Sequence, residues 1–297
     1  MRSPNNIVIA VRKPDNSIKV KKKPYRTLTQ RFKILNLPIL RGVINLFEMM
    51  GIGAKAINFS ANETMDIEEA PKQKKPSDKN KPKTFLHQAL ELLLFIFSLI
   101  TALALSLFLF KFIPLGLTTI LEGRVSYIEE NYIIFNIIDG ILKMTIFLSY
   151  IFVLSLIPSF RRVFEYHGAE HKSIFAYEKK LPLTPENAAK QTRFHPRCGT
   201  SFILIVFTIS ILVYTLVPKQ DTFLENFTLR ISFLPLIAGI SYEYLKLSAK
   251  FAKNRLVKAI IAPGLWFQRL TTKEPNRGQL EVGLRSLSDA LEMERSK

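Results

Sequence analysis

Leu86-His87-Gln88-Ala89-Leu90-Glu91-Leu92-Leu93-Leu94-Phe95-Ile96-Phe97-Ser98-Leu99-Ile100-Thr101-Ala102-Leu103-Ala104-Leu105-Ser106-Leu107-Phe108-Leu109-Phe110 consists almost wholly of Leu, Ile, Phe and Ala. A helix of about 20 such residues matches the hydrocarbon thickness of a bilayer. Three more apolar runs follow: Ile133 to Ile157, Phe202 to Val217 and Leu229 to Leu247. The third is short, so it starts as early as Cys198 or tilts little. Within lipid every backbone polar group must be satisfied inside its own segment, which leaves helices for runs like these. The expected fold class is mainly α: a polytopic membrane protein with about four transmembrane helices over residues 85–250.

Charge sets the orientation. The chain carries 42 Lys and Arg against 24 Asp and Glu, a net charge of +18. The basic residues lie before the first run, between the second and third (Arg161, Arg162, Lys172, Lys179, Lys180, Lys190, Arg193, Arg197), and after the fourth. The other two connections are not basic; 112–132 sets Arg124 against Glu122, Glu129 and Glu130. Every second connection is therefore positive, which predicts a multi-pass protein with both termini and the 158–201 loop in the cytoplasm. The apolar runs argue against a sequence-specific nucleic-acid binder, which would need the charge but not the runs. One cysteine, Cys198, excludes an internal disulfide and suits a reducing compartment. The first residues are basic and have no apolar segment of the signal-peptide kind.

The flanks are simpler. Residues 1–33 predict a cytoplasmic β-hairpin: Ile7 to Val11 and Ile18 to Lys21 are strand-like, joined by Pro14-Asp15-Asn16-Ser17. Lys21-Lys22-Lys23 is placed either to meet anionic lipid headgroups or to stand in water. Residues 34–60 predict an amphipathic interfacial helix with Arg41, Asn45, Glu48 and Lys55 on one stripe. Residues 61–84, rich in Lys, Glu and Pro, read as a disordered linker. Residues 251–297 form a cytoplasmic tail. Its Trp266 suits the membrane interface, and Leu280, Leu284, Leu287 and Leu291 mark an amphipathic helix.

Candidate chemistry gathers on the cytoplasmic side. In Glu165-Tyr166-His167-Gly168-Ala169-Glu170-His171-Lys172, the two histidines are four apart and share a helix face, with Glu170 beside them. The order H-x-x-E-H is the inverted zinc-protease signature. Phe194-His195-Pro196-Arg197-Cys198-Gly199 supplies two further donors at the entry to the third run, and Glu243 lies near the cytoplasmic end of the fourth. An acidic residue in an apolar helix is a functional candidate. His167, His171, His195, Cys198 and Glu243 are the candidate metal ligands, zinc the expected ion, and Glu170 the candidate general base. Each has a plainer role open to it: His195 capping a turn, Cys198 a small buried residue, Glu243 pairing with Arg161 or Lys246, Asp139 facing a neighbouring helix.

Together these motifs, with Met1-Arg2-Ser3-Pro4, Arg41-Gly42, Ala238-Gly239-Ile240-Ser241-Tyr242-Glu243 and Ala262-Pro263-Gly264-Leu265-Trp266-Phe267-Gln268-Arg269-Leu270-Thr271-Thr272, resemble the YqhQ-like bacterial membrane proteins, a domain of unknown function classed as predicted metal-dependent enzymes. The resemblance covers essentially the whole chain. It implies a bacterial cytoplasmic-membrane protein and a metal. Members usually carry a Gly-rich lead before Met-Arg-Ser-Pro, so the start is expected to lie upstream. Two function classes follow: a metal-dependent hydrolase, or a non-enzymatic biogenesis or scaffold factor whose basic face binds a ribosome, a translocase or anionic lipid. A transporter is a weaker third class, since no inverted repeat is visible.

Overall fold

Pro14 to Ser17 turn the chain back on itself. In the computed structural model, which describes residues 1–68, 85–196, 198–218, 220–251 and 254–296, β1 (Asn6–Arg12) pairs antiparallel with β2 (Ile18–Pro24). Asn16 sits at φ 65°, in the left-handed region that Asn tolerates better than most residues.

The rest is helical. A single turn, α1 (Leu28–Arg31), is closed by a Thr27–Gln30 capping box and followed by a 3-10 turn at Lys33–Asn36. The helix expected over 34–60 is α2, Leu40–Glu68. It starts later and continues past residue 60 into the stretch read as linker; the remaining linker residues, 69–84, lie outside the described residues. Next come α3 (Phe85–Leu107), a π-helical turn (Phe108–Phe112), α4 (Ile113–Glu122), the one-turn α5 (Ser126–Glu129) and α6 (Tyr132–Leu156). The cytoplasmic loop of the sequence reading is mostly α7 (Pro158–Glu178) and the short α8 (Pro185–Ala189), which starts at the Thr184 cap as expected. Then follow α9 (Thr200–Thr215), α10 (Phe223–Ser232), α11 (Leu234–Lys250), α12 (Arg255–Thr271) and α13 (Arg277–Arg295).

Among the described residues, two helices are long and apolar enough to cross a membrane: Ile96–Glu122 and Tyr132–Leu156. A third candidate is α10 with α11, bent by 41° at their junction. The first span was expected to stop at Phe110, because Lys111 and Pro114 look like loop residues. It runs on to Glu122. Pro114 lacks an N–H, and the π-turn just before it takes up the change of register. Lys111 is accommodated by Tyr214, with Nζ 5.3 Å from the ring centroid and 3.4 Å from its hydroxyl. The expected third span corresponds to α9, whose 16 residues reach only about 24 Å.

Inside the bundle, polar groups hold one another. Asp139 of α6 is fully buried and pairs with Lys143 one turn on and with Arg230 of α10. Arg230 also donates to Asn136, whose amide donates to the Tyr214 carbonyl at 2.7 Å. The Tyr214 hydroxyl donates to the Arg230 carbonyl at 2.7 Å. These bonds tie α6, α9 and α10 together where hydrocarbon would offer no partner. An added Cβ at Gly140 would sit 2.2 Å from Ile211, so α6 and α9 touch backbone to side chain there.

The hairpin is secured from the far end of the chain, as a lone two-stranded hairpin needs to be. Glu294 of α13 accepts from the Ser3 hydroxyl at 2.7 Å, the Asn5 N–H at 2.9 Å and the Asn6 amide at 3.1 Å. Lys22 pairs with Asp289 at 3.1 Å and Glu292 at 3.2 Å, so this lysine serves the fold instead of standing free for lipid. Earlier in the helix, α13 packs on α7: Leu280 and Leu284 cluster with Ala169 and Ala176. Thus the amphipathic tail helix covers the back of the histidine helix.

Candidate metal centre

His167 and His171 lie one turn apart on α7, as their spacing requires, with ring centroids 4.4 Å apart. Their helix is drawn close to the segment after α12. An added Cβ at Gly168 would meet the Lys273 carbonyl at 2.2 Å, and the Lys273 N–H donates to the Phe164 carbonyl at 2.9 Å. Only glycine permits that approach.

The approach sets the imidazoles. Nδ1 of His167 donates to the Thr271 carbonyl at 2.8 Å, and Nδ1 of His171 donates to the Arg193 carbonyl at 2.5 Å. A carbonyl can only accept, so both Nδ1 atoms carry the proton, and Nε2 is the ligand nitrogen each ring has left. Nε2 of His167 lies 3.2 Å from Cys198 Sγ. One donor atom from each of His167, His171 and Cys198 lies within 4.8 Å of the others. Neighbouring donors on a tetrahedral zinc stand roughly 3.4–3.6 Å apart; the donor types suit such an ion, and the 4.8 Å bound leaves the group looser than a closed zinc site. Backbone carbonyls orienting ligand histidines through Nδ1 are the usual outer shell of a metal site.

Cys198 is buried; its sulfur lies 3.1 Å from the Thr200 hydroxyl and accepts from the Thr200 N–H at 3.4 Å. Burial pushes its thiol up, but hydrogen bonds and charge from His167 and His171 outweigh this and bring it down to about 5. Burial likewise opposes the His167 imidazolium. The bond to the Cys198 sulfur, the Thr271 carbonyl and the charge of Glu170 together raise it above its usual range. The centre thus holds a thiolate against a proton, the arrangement a cation replaces.

Two expected ligands stand outside the group. His195 is buried, but its Nε2 donates to Glu178 at 3.3 Å and its ring packs on Phe175 at 4.7 Å. Its backbone is locked by Gln268, which accepts from the His195 N–H at 2.7 Å and donates to its carbonyl at 2.8 Å. Glu243 is held in a bidentate pair by Nε and Nη2 of Arg41 on α2, one edge of its guanidinium. The partner is neither Arg161 nor Lys246, because the stripe that carries Arg41 packs on α11: Gly42 allows it to meet Tyr242 and Gly239 closely. Glu170 is half-buried on α7 between the two histidines in sequence and outside the three-residue group. Sequence reasoning missed Arg193, Thr271, Thr200 and Gln268. The first two act through carbonyls, which have no residue signature; Gly168 between the histidines was the readable sign of a close backbone neighbour.

This placement makes a prediction. Glu243→Gln should leave the metal content unchanged while lowering stability by about 1–3 kcal/mol, because Arg41 loses a charged bidentate partner. Metal analysis and thermal melting of the same preparation check it, and loss of the metal would return Glu243 to the ligand set.

Residues 37–293 match the family model described as a protein of unknown function (DUF1385). The chain is 35% identical over 300 residues to the uncharacterized protein YqhQ of Bacillus subtilis, covering 98% of this chain and 88% of that protein. No solved structure matches it.

Proposed function

The chain belongs to the DUF1385 family, and from that premise we propose a multi-pass protein of the bacterial cytoplasmic membrane whose inner surface holds a divalent ion, zinc by its donors, between His167, His171 and Cys198. In this reading α9 is a short fourth span and both termini are cytoplasmic. The alternation of basic connections supports it. So does the apolar surface left exposed, such as Leu93 at 63%, Phe97 at 68% and Val153 at 56%, more than a soluble monomer carries.

One observation carries the metal reading. Two carbonyls fix both histidines with the proton on Nδ1, so the remaining nitrogens and a sulfur offer lone pairs to a shared point. A proton shared between His167 and Cys198 relieves one of these contacts, whereas a divalent ion would draw on all three donors at once. Three protein donors also match the catalytic class of zinc sites, which keep a position open, whereas structural sites close with four.

The activity that suits this arrangement is metal-dependent hydrolysis. Bound zinc would act as a Lewis acid toward a carbonyl or phosphoryl oxygen and acidify water. Glu170 takes the role of proton acceptor, next to His171 in sequence and electrostatically coupled to His167. His171 and His167, locked through Nδ1, keep their orientation during turnover.

The test is elemental analysis of the full chain purified in detergent without added chelator. About one zinc, iron or manganese per chain is expected. Wild-type protein free of all three, before and after incubation with each metal, would remove the proposal.

A further inference from the structure

Two cavities adjoin at Leu245 of α11, which lines both. One, of about 320 Å³, lies between α9, α11 and the Pro263–Gly264 segment of α12. Its wall along α9 is aliphatic: Leu204, Ile205, Ile209 and Leu212. That stretch extends about 12 Å into the apolar helix.

The other cavity, of about 450 Å³, lies between α2, α11 and the start of α9, and adds basic residues to a lining that is otherwise largely apolar. Arg2, Arg41 and Lys246 line it, and no carboxylate residue does. Arg41 is neutralised by Glu243. Arg2 and Lys246 form no ion pair among the described residues; Arg2 contacts only the Met49 sulfur at 3.2 Å and the face of Tyr25. Gly199, the N-cap of α9 with no side-chain cap, also opens onto this space and adds the positive end of a helix.

An aliphatic slot joined to a chamber where Arg2 and Lys246, both exposed, carry charge outside any ion pair among the described residues fits one class of molecule, although Lys246 also feels the charge of Glu243. We propose that the pair of cavities binds an anionic membrane lipid, its chain along α9 and its phosphate between Arg2 and Lys246. A soluble anion would leave the slot unused. A neutral lipid would leave the cations unmatched. Pro196 lines the slot and Gly199 the chamber, two and one residues from Cys198 in the chain, and the lipid becomes the substrate class if the hydrolase reading holds. The proposal depends on the chain being embedded in a membrane and not on the metal: none of His167, His171 and Cys198 lines either cavity.

The test uses the full chain in dodecyl maltoside, with lipid binding followed by native mass spectrometry. Phosphatidylglycerol should bind, phosphatidylcholine should bind about thirtyfold more weakly, and millimolar inorganic phosphate should not displace the former. In a variant carrying Arg2→Gln and Lys246→Gln, the two lipids should bind alike. Thr208→Trp should weaken both, since Thr208 lines the slot and is exposed, so the added bulk enters the slot without disturbing a packed core. His167→Ala should bind phosphatidylglycerol like the wild type, which separates this site from the metal centre. Equal binding of the two lipids by wild type, displacement by phosphate, or a preference that survives in the double variant would each overturn it.

Discussion

Asp139→Ala should destabilise the protein by about 3–5 kcal/mol, a large share of the roughly 5–15 kcal/mol that holds most folds together. Asp139 is fully buried and is the carboxylate that Lys143 and Arg230 share. Lys111 approaches the same Tyr214 ring as both of them. Removing the acid leaves buried cations facing one another in a medium too apolar to screen them. The cost comes less from a lost bond than from the partners left behind. Asp139→Asn should cost less, because its oxygen still accepts from Arg230. Asp139→Leu combined with Lys143→Leu should recover part of the loss, since one acid and one base leave together. Unfolding in detergent, followed by heat or denaturant, checks the series. An Asp139→Ala protein that melts like the wild type would show that the cluster is solvated.

Cys198→Ala and His167→Ala should each lower metal affinity by roughly 100-fold or more, since changes merely in the outer shell of such sites cost 10–100-fold. The two variants should differ in another respect. Without Cys198, His167 loses the largest influence that raises it and returns toward ordinary imidazole behaviour. Without His167, the thiol loses its main hydrogen-bonded partner and rises from about 5. Equilibrium titration with zinc measures the first effect. The pH dependence of thiol alkylation in metal-free His167→Ala measures the second. Either variant retaining wild-type affinity would exclude that residue as a ligand.

What could be read from the sequence followed from periodicity and charge. The hairpin, the four-residue spacing of His167 and His171, the Thr184 cap and the leucine stripe of α13 are local patterns, and their physical causes act within a few residues. Family membership was legible too, because its motifs are spread over the whole chain. The span count was less so. Lys111 and Pro114 look like the end of a helix until Tyr214 and a π-turn are seen to absorb them. In the centre, residue type alone nominated five ligands. It could not distinguish Cys198, which meets the histidines, from Glu243, which a distant arginine claims. Which carbonyl fixes which imidazole depends on the backbone path, and side-chain identity carries no trace of it.

The anchor of His167 lies 104 residues downstream, at the Thr271 carbonyl. During synthesis the histidine helix leaves the ribosome long before that carbonyl exists, and until then its ring is free to turn. The fully oriented trio of His167, His171 and Cys198 that the metal proposal needs is therefore complete only after nearly all of the protein has been made. A truncation ending before Thr271 would lack the carbonyl that fixes His167.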